Sequence, residues 1–334
     1  MSIPSPFRHR NIYEQQAVNK RLTVVVMIVF TLFLIFVGAG FDYFMSGSYF
    51  KGTFVPFATI LALLFGTGSA FWSLKGGPAA VLSSTGAVAA DPSISSHKQL
   101  LNVVDEMAIA SGMPRPAVYV VPDPDPNAFA TGKDPQHSSI AVTQGLLDSL
   151  NREELQGVIA HEMSHIRNYD VRVMTVVAAL MGAILLLSDW ARRSLWFGGR
   201  GRKRSSSSSG QLGIVFFIIW LIGIILAPIL TQMMAMAVSR KREYLADASG
   251  AELTRNPMGL ANALKKIEAA SDPTKSIKRG AAHLCIIDPS GRKLNSKEGF
   301  FAEVFGTHPP ITKRIIALEA MAYQGSSSQP THAA

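Results

Sequence analysis

Hydrophobic and polar positions divide the chain into long apolar runs separated by polar segments. Residues 1–21 are polar and carry Arg8, Arg10, Lys20 and Arg21. A charge-free run from Leu22 to Phe41 follows; its 20 residues would rise about 30 Å as a helix, the thickness of a bilayer's hydrocarbon core. This run is longer than a typical signal-peptide core and no small-residue cleavage site follows it, so the pattern predicts a retained span. After a turn from Asp42 to Lys51, a second charge-free run extends from Gly52 to Leu74, with Phe71 and Trp72 where an interfacial aromatic anchor would lie. Residues 22–75 therefore predict a transmembrane helical hairpin.

Residues 76–96 are rich in Gly, Ser, Ala and Pro and read as a linker. From His97 the periodicity becomes that of a globular domain. A helix is predicted over 97–113, with Leu100, Leu101, Val104 and Met107 on one stripe and Pro114 and Pro116 to end it. Two short strands follow, Ala117–Val121 and Ser138–Thr143, with Asn127–Gly132 between them. Asn151 with Glu154 three residues on predicts a capping box opening a helix that runs at least to Asp170. Val173 to Ser188 is apolar but only 16 residues long, roughly 24 Å of helix and marginal for a span. The connection 189–211 carries a net charge of +5 and a low-complexity run from Ser205 to Ser209, predicted disordered. Leu212 to about Ala237 is long enough to cross, with Pro228 as a kink. Residues 172–238 thus predict a hydrophobic hairpin that splits the globular part into 97–171 and 239–323. Helices are predicted from Pro257 to about Ala270 and from Ile311 to Tyr323, and 324–334 as a disordered tail.

Composition agrees with membrane segments. Charged residues make up 16% of the chain, against about 25% in soluble domains. The net charge of +9 would suit nucleic acid, but the basic residues cluster at the ends of apolar runs and no aromatic-interleaved basic platform is present. Anionic lipid headgroups are the expected partner instead. Cys285 is the sole cysteine, which excludes an intrachain disulfide and any cysteine-rich metal site.

The chemistry is concentrated in His161-Glu162-Met163-Ser164-His165, an H-E-x-x-H motif on a predicted helix. Imidazoles four residues apart project from one helical face, which suits a divalent zinc ion in an open three-ligand site. Glu162 is placed to act as general base on a water activated by the metal. A third ligand is needed, and Glu243 is the best candidate, with Asp247 on the same helical face to accept the free N–H of a ligating imidazole. From the residues alone, solvated charges among basic neighbours is the commoner reading of Glu243 and Asp247 in a charge-rich helix.

The chain resembles the HtpX family of membrane-bound zinc metallopeptidases, related to the CAAX prenyl peptidases. The resemblance rests on Asn127-Ala128-Phe129-Ala130, His161-Glu162-x-x-His165, Arg240-x-x-Glu243-x-x-x-Asp247, and Thr307-His308-Pro309-Pro310 with Arg314, in that order. It implies one zinc per subunit held by His161, His165 and Glu243, Glu162 as general base, and hydrolysis of peptide bonds in protein substrates, with membrane proteins foremost. Asn127 begins a segment that would either flank a substrate cleft or form a turn with Phe129 in the core. His308 would either donate to a developing oxyanion or, with Arg314, lock the C-terminal helix to the domain. The expected fold is mainly α with a small β-sheet, a zincin-like catalytic domain joined to transmembrane helices in an integral membrane protein.

Topology is less settled by sequence. His165 and Glu243 lie 78 positions apart yet must meet one metal, so the intervening segment must leave and return on one side. The N-terminal segment carries four basic residues against one in the first turn, which places the catalytic part on the cytoplasmic face of the plasma (inner) membrane. The basic connection 189–211 conflicts with that rule if the second hairpin crosses fully, and a partly inserted hairpin stays open. Two rival functions are a processing peptidase with one defined substrate and a membrane adaptor or transporter with a structural metal site.

Overall fold

The computed structural model describes residues 12–46, 55–182, 242–270, 284–286 and 309–327. The basic connection, the fourth apolar run, His308 and residues 328–334 lie outside the described residues, whereas residues 324–327 of the expected disordered tail continue the last helix.

Helices α1 (Ile12–Ser46) and α2 (Phe57–Lys75) form an antiparallel pair. Glycine permits their close approach: a Cβ on Gly38 would stand 2.7 Å from the Ala58 carbonyl oxygen. Asp42 accepts hydrogen bonds from the Ala58 and Thr59 N–H groups and from the Thr59 hydroxyl, satisfying donors at the start of α2. Both helices are long and apolar enough to cross a membrane, and only 28% and 17% of their most apolar windows are buried. Leu32, Leu61, Leu64, Phe65, Phe71 and Trp72 are exposed, which separates these helices from the core helices of a soluble domain.

The stretch expected to be a linker is ordered. Gly77–Ser84 forms helix α3, with proline in its first turn, and Val88–Ala89 forms β1. Val81 and Leu82 are buried in a cluster with Val121, Phe129, Ala141 and Met174, so tertiary packing organises a segment of weak intrinsic preference.

The sheet has the order β1-β2-β4-β3. β2 (Ala117–Val121) runs parallel to β4 (His137–Thr143), and β3 (Ala128–Asp134) pairs antiparallel with β4. Helix α4 (Ser95–Ser111) ends at Gly112, whose φ of 64° closes it in the left-handed conformation before the prolines are reached. Short α5 (Gln144–Ser149) leads to α6 (Arg152–Arg167), the central helix. Leu155, Val158, Ile159 and Met163 of α6 share one core with Leu100 and Val104 of α4, Ile140 and Val142 of β4, and Leu260 and Leu264 of α9 (Pro257–Ala269). At the contact with α9, Gly157 has no room for a side chain: its Cβ would lie 2.7 Å from the Leu260 nitrogen.

The expected helix through Asp170 is instead two helices. α6 stops at Asn168, Tyr169 takes a φ of 61°, and α7 (170–182) starts in a new direction. α7 packs beside α1: Val173, Val176, Val177 and Leu180 cluster with Val26, Phe30 and Leu34. Helix α8 (242–254) precedes α9, and α10 (Ile311–Ser327) packs on α9, Leu318 sharing the core of Leu260 and Leu264.

Candidate metal centre

The helix that bears the H-E-x-x-H motif is fixed at its start by the predicted capping box. Asn151 Oδ1 accepts from the Glu154 N–H at 2.9 Å, and Glu154 Oε2 accepts from the Asn151 N–H at 2.8 Å. Lys266 of α9 donates to the same Glu154 oxygen. His161 and His165 sit on the buried face one turn apart, their rings nearly perpendicular at 89°.

Their Nε2 atoms lie 3.2 Å apart. Glu243, from the first turn of α8, brings Oε2 within 3.6 Å of His161 Nε2 and Oε1 within 3.5 Å of His165 Nε2. Two atoms each bound to zinc at about 2.0–2.1 Å with a tetrahedral angle between them stand about 3.3 Å apart. The three residues therefore fit a divalent ion, and their ligand atoms all fall within 4.8 Å of one another. α8 reaches this position because Gly250, two turns past Glu243, lets its backbone press on α6: a Cβ there would be 3.1 Å from the His161 nitrogen.

The remaining imidazole nitrogens each face a buried carboxylate. His161 Nδ1 lies 3.0 Å from Asp247 Oδ1, and His165 Nδ1 lies 3.1 Å from Asp170 Oδ2. Such partners hold Nδ1 as the N–H and leave Nε2 to bind metal. Burial raises the pKa of both aspartates, but their cationic and hydrogen-bonding neighbours, Arg314 for Asp247 and His165 with Arg242 for Asp170, outweigh it and hold both low. Burial holds the His161 pKa below its ordinary value. For His165 burial is overcome by the Asp170 hydrogen bond and by Glu243, which push it up to about 9.

Glu162 is buried on the adjacent face and its pKa is pushed up to about 7, chiefly by burial, with a further rise from Glu243. His165, Arg314 and the Ala130 N–H, which hydrogen-bonds the carboxylate, pull the other way. Arg314 of α10 is fully buried and donates to both Asp247 oxygens, at 2.7 and 2.8 Å, and to the Ile286 carbonyl at 3.0 Å. Its Nη1 stands 3.3 Å from Glu243 Oε2.

Asn127 is placed at the head of β3, its N–H donating to the Thr143 hydroxyl and its carbonyl accepting from Thr143. The outer edge of β3 is occupied by other parts of the chain. Ala128 accepts from the Ile286 N–H, Phe129 bridges to Cys285, Ala130 donates to Glu162, and Gly132 donates to Thr175 of α7. Three residues not foreseen from sequence also belong to the centre: Asp170, Arg242 and Asn19. Asp170 is separated from His165 by a helix break, so no helical spacing relates them; Asn19 lies 146 residues before His165.

Residues 95–322 match the family described as Peptidase family M48. A protein named Protease HtpX homolog from Caldanaerobacter subterraneus subsp. tengcongensis is 44% identical over 313 residues, 93% of this chain and 98% of the relative. Proteins of the same name are similar at 42% identity over 314 residues in Thermoanaerobacter pseudethanolicus, covering 93% and 98% of the two chains, and at 39% over 315 residues in Streptococcus uberis, covering 93% and 100%. Among solved structures, the crystal structure of S. mikatae Ste24p aligns with a TM-score of 0.49 at 17% identity, over 92% of this chain and 67% of that one.

Proposed function

The chain belongs to peptidase family M48, alongside the HtpX proteases, and from that premise we propose that it is a zinc-dependent endopeptidase built into a membrane. The observation that carries this reading is the convergence of His161, His165 and Glu243 beside the buried Glu162.

One zinc ion per subunit would be held by the two Nε2 atoms and the Glu243 carboxylate. When bound, zinc supplies Lewis acidity, polarising a scissile carbonyl and lowering the pKa of water. Glu162, with a pKa pushed up to about 7, takes a proton from the attacking water on its carboxylate and returns it to the departing amine nitrogen. The Ala130 N–H orients that carboxylate, so the chemistry is tied to the strand nearest the motif helix. Asp247 and Asp170 keep the two imidazoles in the binding tautomer and aimed at one point. No covalent bond between the protein and the substrate is required.

The membrane reading rests on α1 and α2 and on their mostly uncovered apolar faces. Asn19, whose amide bonds to Asp170, precedes the first residue of the apolar run by three positions, about 4.5 Å of helix. The zinc ligand His165 therefore lies close to the bilayer surface, which favours membrane proteins as substrates. A catalytic domain on the cytoplasmic face of the plasma (inner) membrane, acting in quality control of misfolded membrane proteins under stress, is the role the family resemblance implies.

The test is Glu162→Gln in the purified full-length chain, assayed on an unfolded model protein. Zinc content is expected to stay at one per subunit while cleavage falls at least a thousandfold, roughly the loss of a general base together with its positioning. Full cleavage by the zinc-loaded variant would remove Glu162 from the mechanism. Cleavage by the natural chain that resists exhaustive chelation would favour a structural metal site instead.

A further inference from the structure

We infer that Asn19, at the cytoplasmic end of the first membrane helix, is a positioning residue for the metal centre, acting through Asp170 on His165. The inference rests on the zinc-peptidase reading and extends it to a part of the chain outside residues 95–322, the region that matches the peptidase family.

The argument starts with burial. Asn19 is 2% exposed, on a helix whose neighbouring residues are otherwise largely open. A buried primary amide must spend its two donors and its acceptor on protein partners. It does so on one place: Nδ2 donates to the Asn168 carbonyl and to Asp170 Oδ1, both at 2.8 Å, and Oδ1 accepts from Arg242 Nη1 at 3.1 Å. Arg242 also donates to Asp170 Oδ1 at 2.9 Å. One oxygen of Asp170 is thus held by Asn19 and Arg242, which leaves the other, Oδ2, aimed at His165 Nδ1. Rotation of this carboxylate would break three contacts together.

The neighbouring residues of α1 serve the same docking. Gln16 donates to the Arg167 carbonyl at 2.9 Å, and the Lys20 ammonium stands 4.3 Å from the centre of the Tyr169 ring. Gln16, Asn19, Lys20 and Thr23 are spaced i, i+3, i+4 and i+7, one face of a helix. That face grips residues 167–170, where α6 ends and Tyr169 takes its positive φ. A left-handed tyrosine is an unfavourable backbone state that its surroundings must impose. The turn exists to bring Asp170 back onto His165, and α1 holds the turn. The first span is thereby part of the scaffold of the metal ligands as well as an anchor.

The experiment uses the full-length protein in detergent micelles and compares the natural chain with Asn19→Ala, Asn19→Gln, Asp170→Asn and the double variant Asn19→Ala/Asp170→Asn. Zinc affinity is read by competition with a chromogenic chelator, ligand geometry by the visible absorption of bound Co²⁺, and cleavage of fluorescent casein as kcat and KM. Asn19→Ala is expected to weaken zinc binding about tenfold, the lower end of what loss of a ligand's outer partner brings. It should also alter the Co²⁺ bands and lower kcat with KM unchanged, and Asn19→Gln should recover part of the loss. In the Asp170→Asn background Asn19→Ala should change zinc affinity by less than twofold, because the route through Asp170 is already cut. Unchanged affinity and Co²⁺ spectrum in Asn19→Ala would overturn the inference, including where melting of the zinc-free protein falls, since a merely structural residue does only that. An undiminished effect in the Asp170→Asn background would overturn the route. Should the natural chain bind no stoichiometric zinc, it is the zinc-peptidase reading that fails, a different result from either of these.

Discussion

Replacing Arg314 by methionine tests how the metal centre is locked to the C-terminal helix. The guanidinium is fully buried and makes a two-pronged contact with Asp247, at 2.7 and 2.8 Å, and a third bond to the Ile286 carbonyl. Methionine keeps most of the volume but leaves Asp247, only 2% exposed, with His161 Nδ1 as its remaining charged-state partner. Breaking one side of a buried ion pair costs about 3–5 kcal/mol, because the surviving charge stays buried. In a domain of this size each kcal/mol moves the melting temperature by about 2–4 °C, so Arg314→Met should melt roughly 6–20 °C lower. The assay is thermal unfolding of the detergent-solubilised chain followed by tryptophan fluorescence, with chelator present so that metal loss does not enter. Asp247→Leu should cost a similar amount. The double variant Asp247→Leu/Arg314→Met should recover the part of the loss due to a stranded Asp247, while Glu243, 3.3 Å from Arg314 Nη1, still loses its neighbouring cation. A single-variant loss under about 1 kcal/mol, or strict additivity in the double variant, would refute the claim that the pair is a buried, mutually dependent unit.

Three further outcomes follow from individual contacts. Asn151→Ala removes the side-chain half of the capping box, the bond from the Glu154 N–H to Asn151 Oδ1, and should destabilise the motif helix by about 1 kcal/mol, read as a melting temperature about 2–4 °C lower with the zinc affinity of the folded protein unchanged. Gly157→Ala gains about 1 kcal/mol of helix propensity but sets a Cβ 2.7 Å from the backbone of α9; overpacking of about 1–3 kcal/mol should leave it neutral to about 2 kcal/mol less stable by urea unfolding, and a clear gain would mean that α9 yields freely. Glu243→Ala leaves two imidazoles for the metal and should abolish stoichiometric zinc after dialysis, as measured by elemental analysis, whereas retained zinc would remove Glu243 from the ligand set.

The parts of the fold legible in the sequence are those set by short-range rules. Charge-free runs of sufficient length marked α1 and α2, Asn151 and Glu154 marked the start of α6, and prolines bounded β2. The misreadings share one physical cause, a distant segment overriding a local preference. Nothing in Asn168-Tyr169-Asp170 announces a helix break, since the residue that turns left-handed is a tyrosine, and the groups that stabilise the turn are Gln16, Asn19 and Lys20. Residues 77–84 have the composition of a linker and become a helix because Val81 and Leu82 find the cluster of Phe129 and Met174. The cover on the edge of β3 could not be read from sequence for the same reason, since Ile286, Glu162 and Thr175 come from three separate parts of the chain. In the site itself, a four-residue spacing on one helix made His161 and His165 readable. Residue spacing alone did not raise Glu243 and Asp247 above two charges; the family resemblance singled out Glu243, and the packing of α8 on α6 at Gly250 is what sets both beside the histidines.

This packing also changes what the metal is needed for. Residues 171–241 separate Asp170 from Arg242, and closing a flexible loop of that length costs about 4 kcal/mol plus a constant. Were zinc the only tie across it, loss of the ion would release α8 from α6. The two ends are instead joined by protein alone: Arg242 donates to Asp170 at 2.9 Å, both residues nearly buried, and Asn19 bonds to each of them. Gly250 against His161 and Arg314 against Asp247 continue the seam in the same direction. None of these ties passes through the ion, so little of the zinc-binding energy should be spent on folding the excursion shut. Zinc removal should then abolish cleavage while leaving α8 docked, and limited proteolysis near residue 242 would reveal the contrary case, a chelated protein cut there far faster than the loaded one.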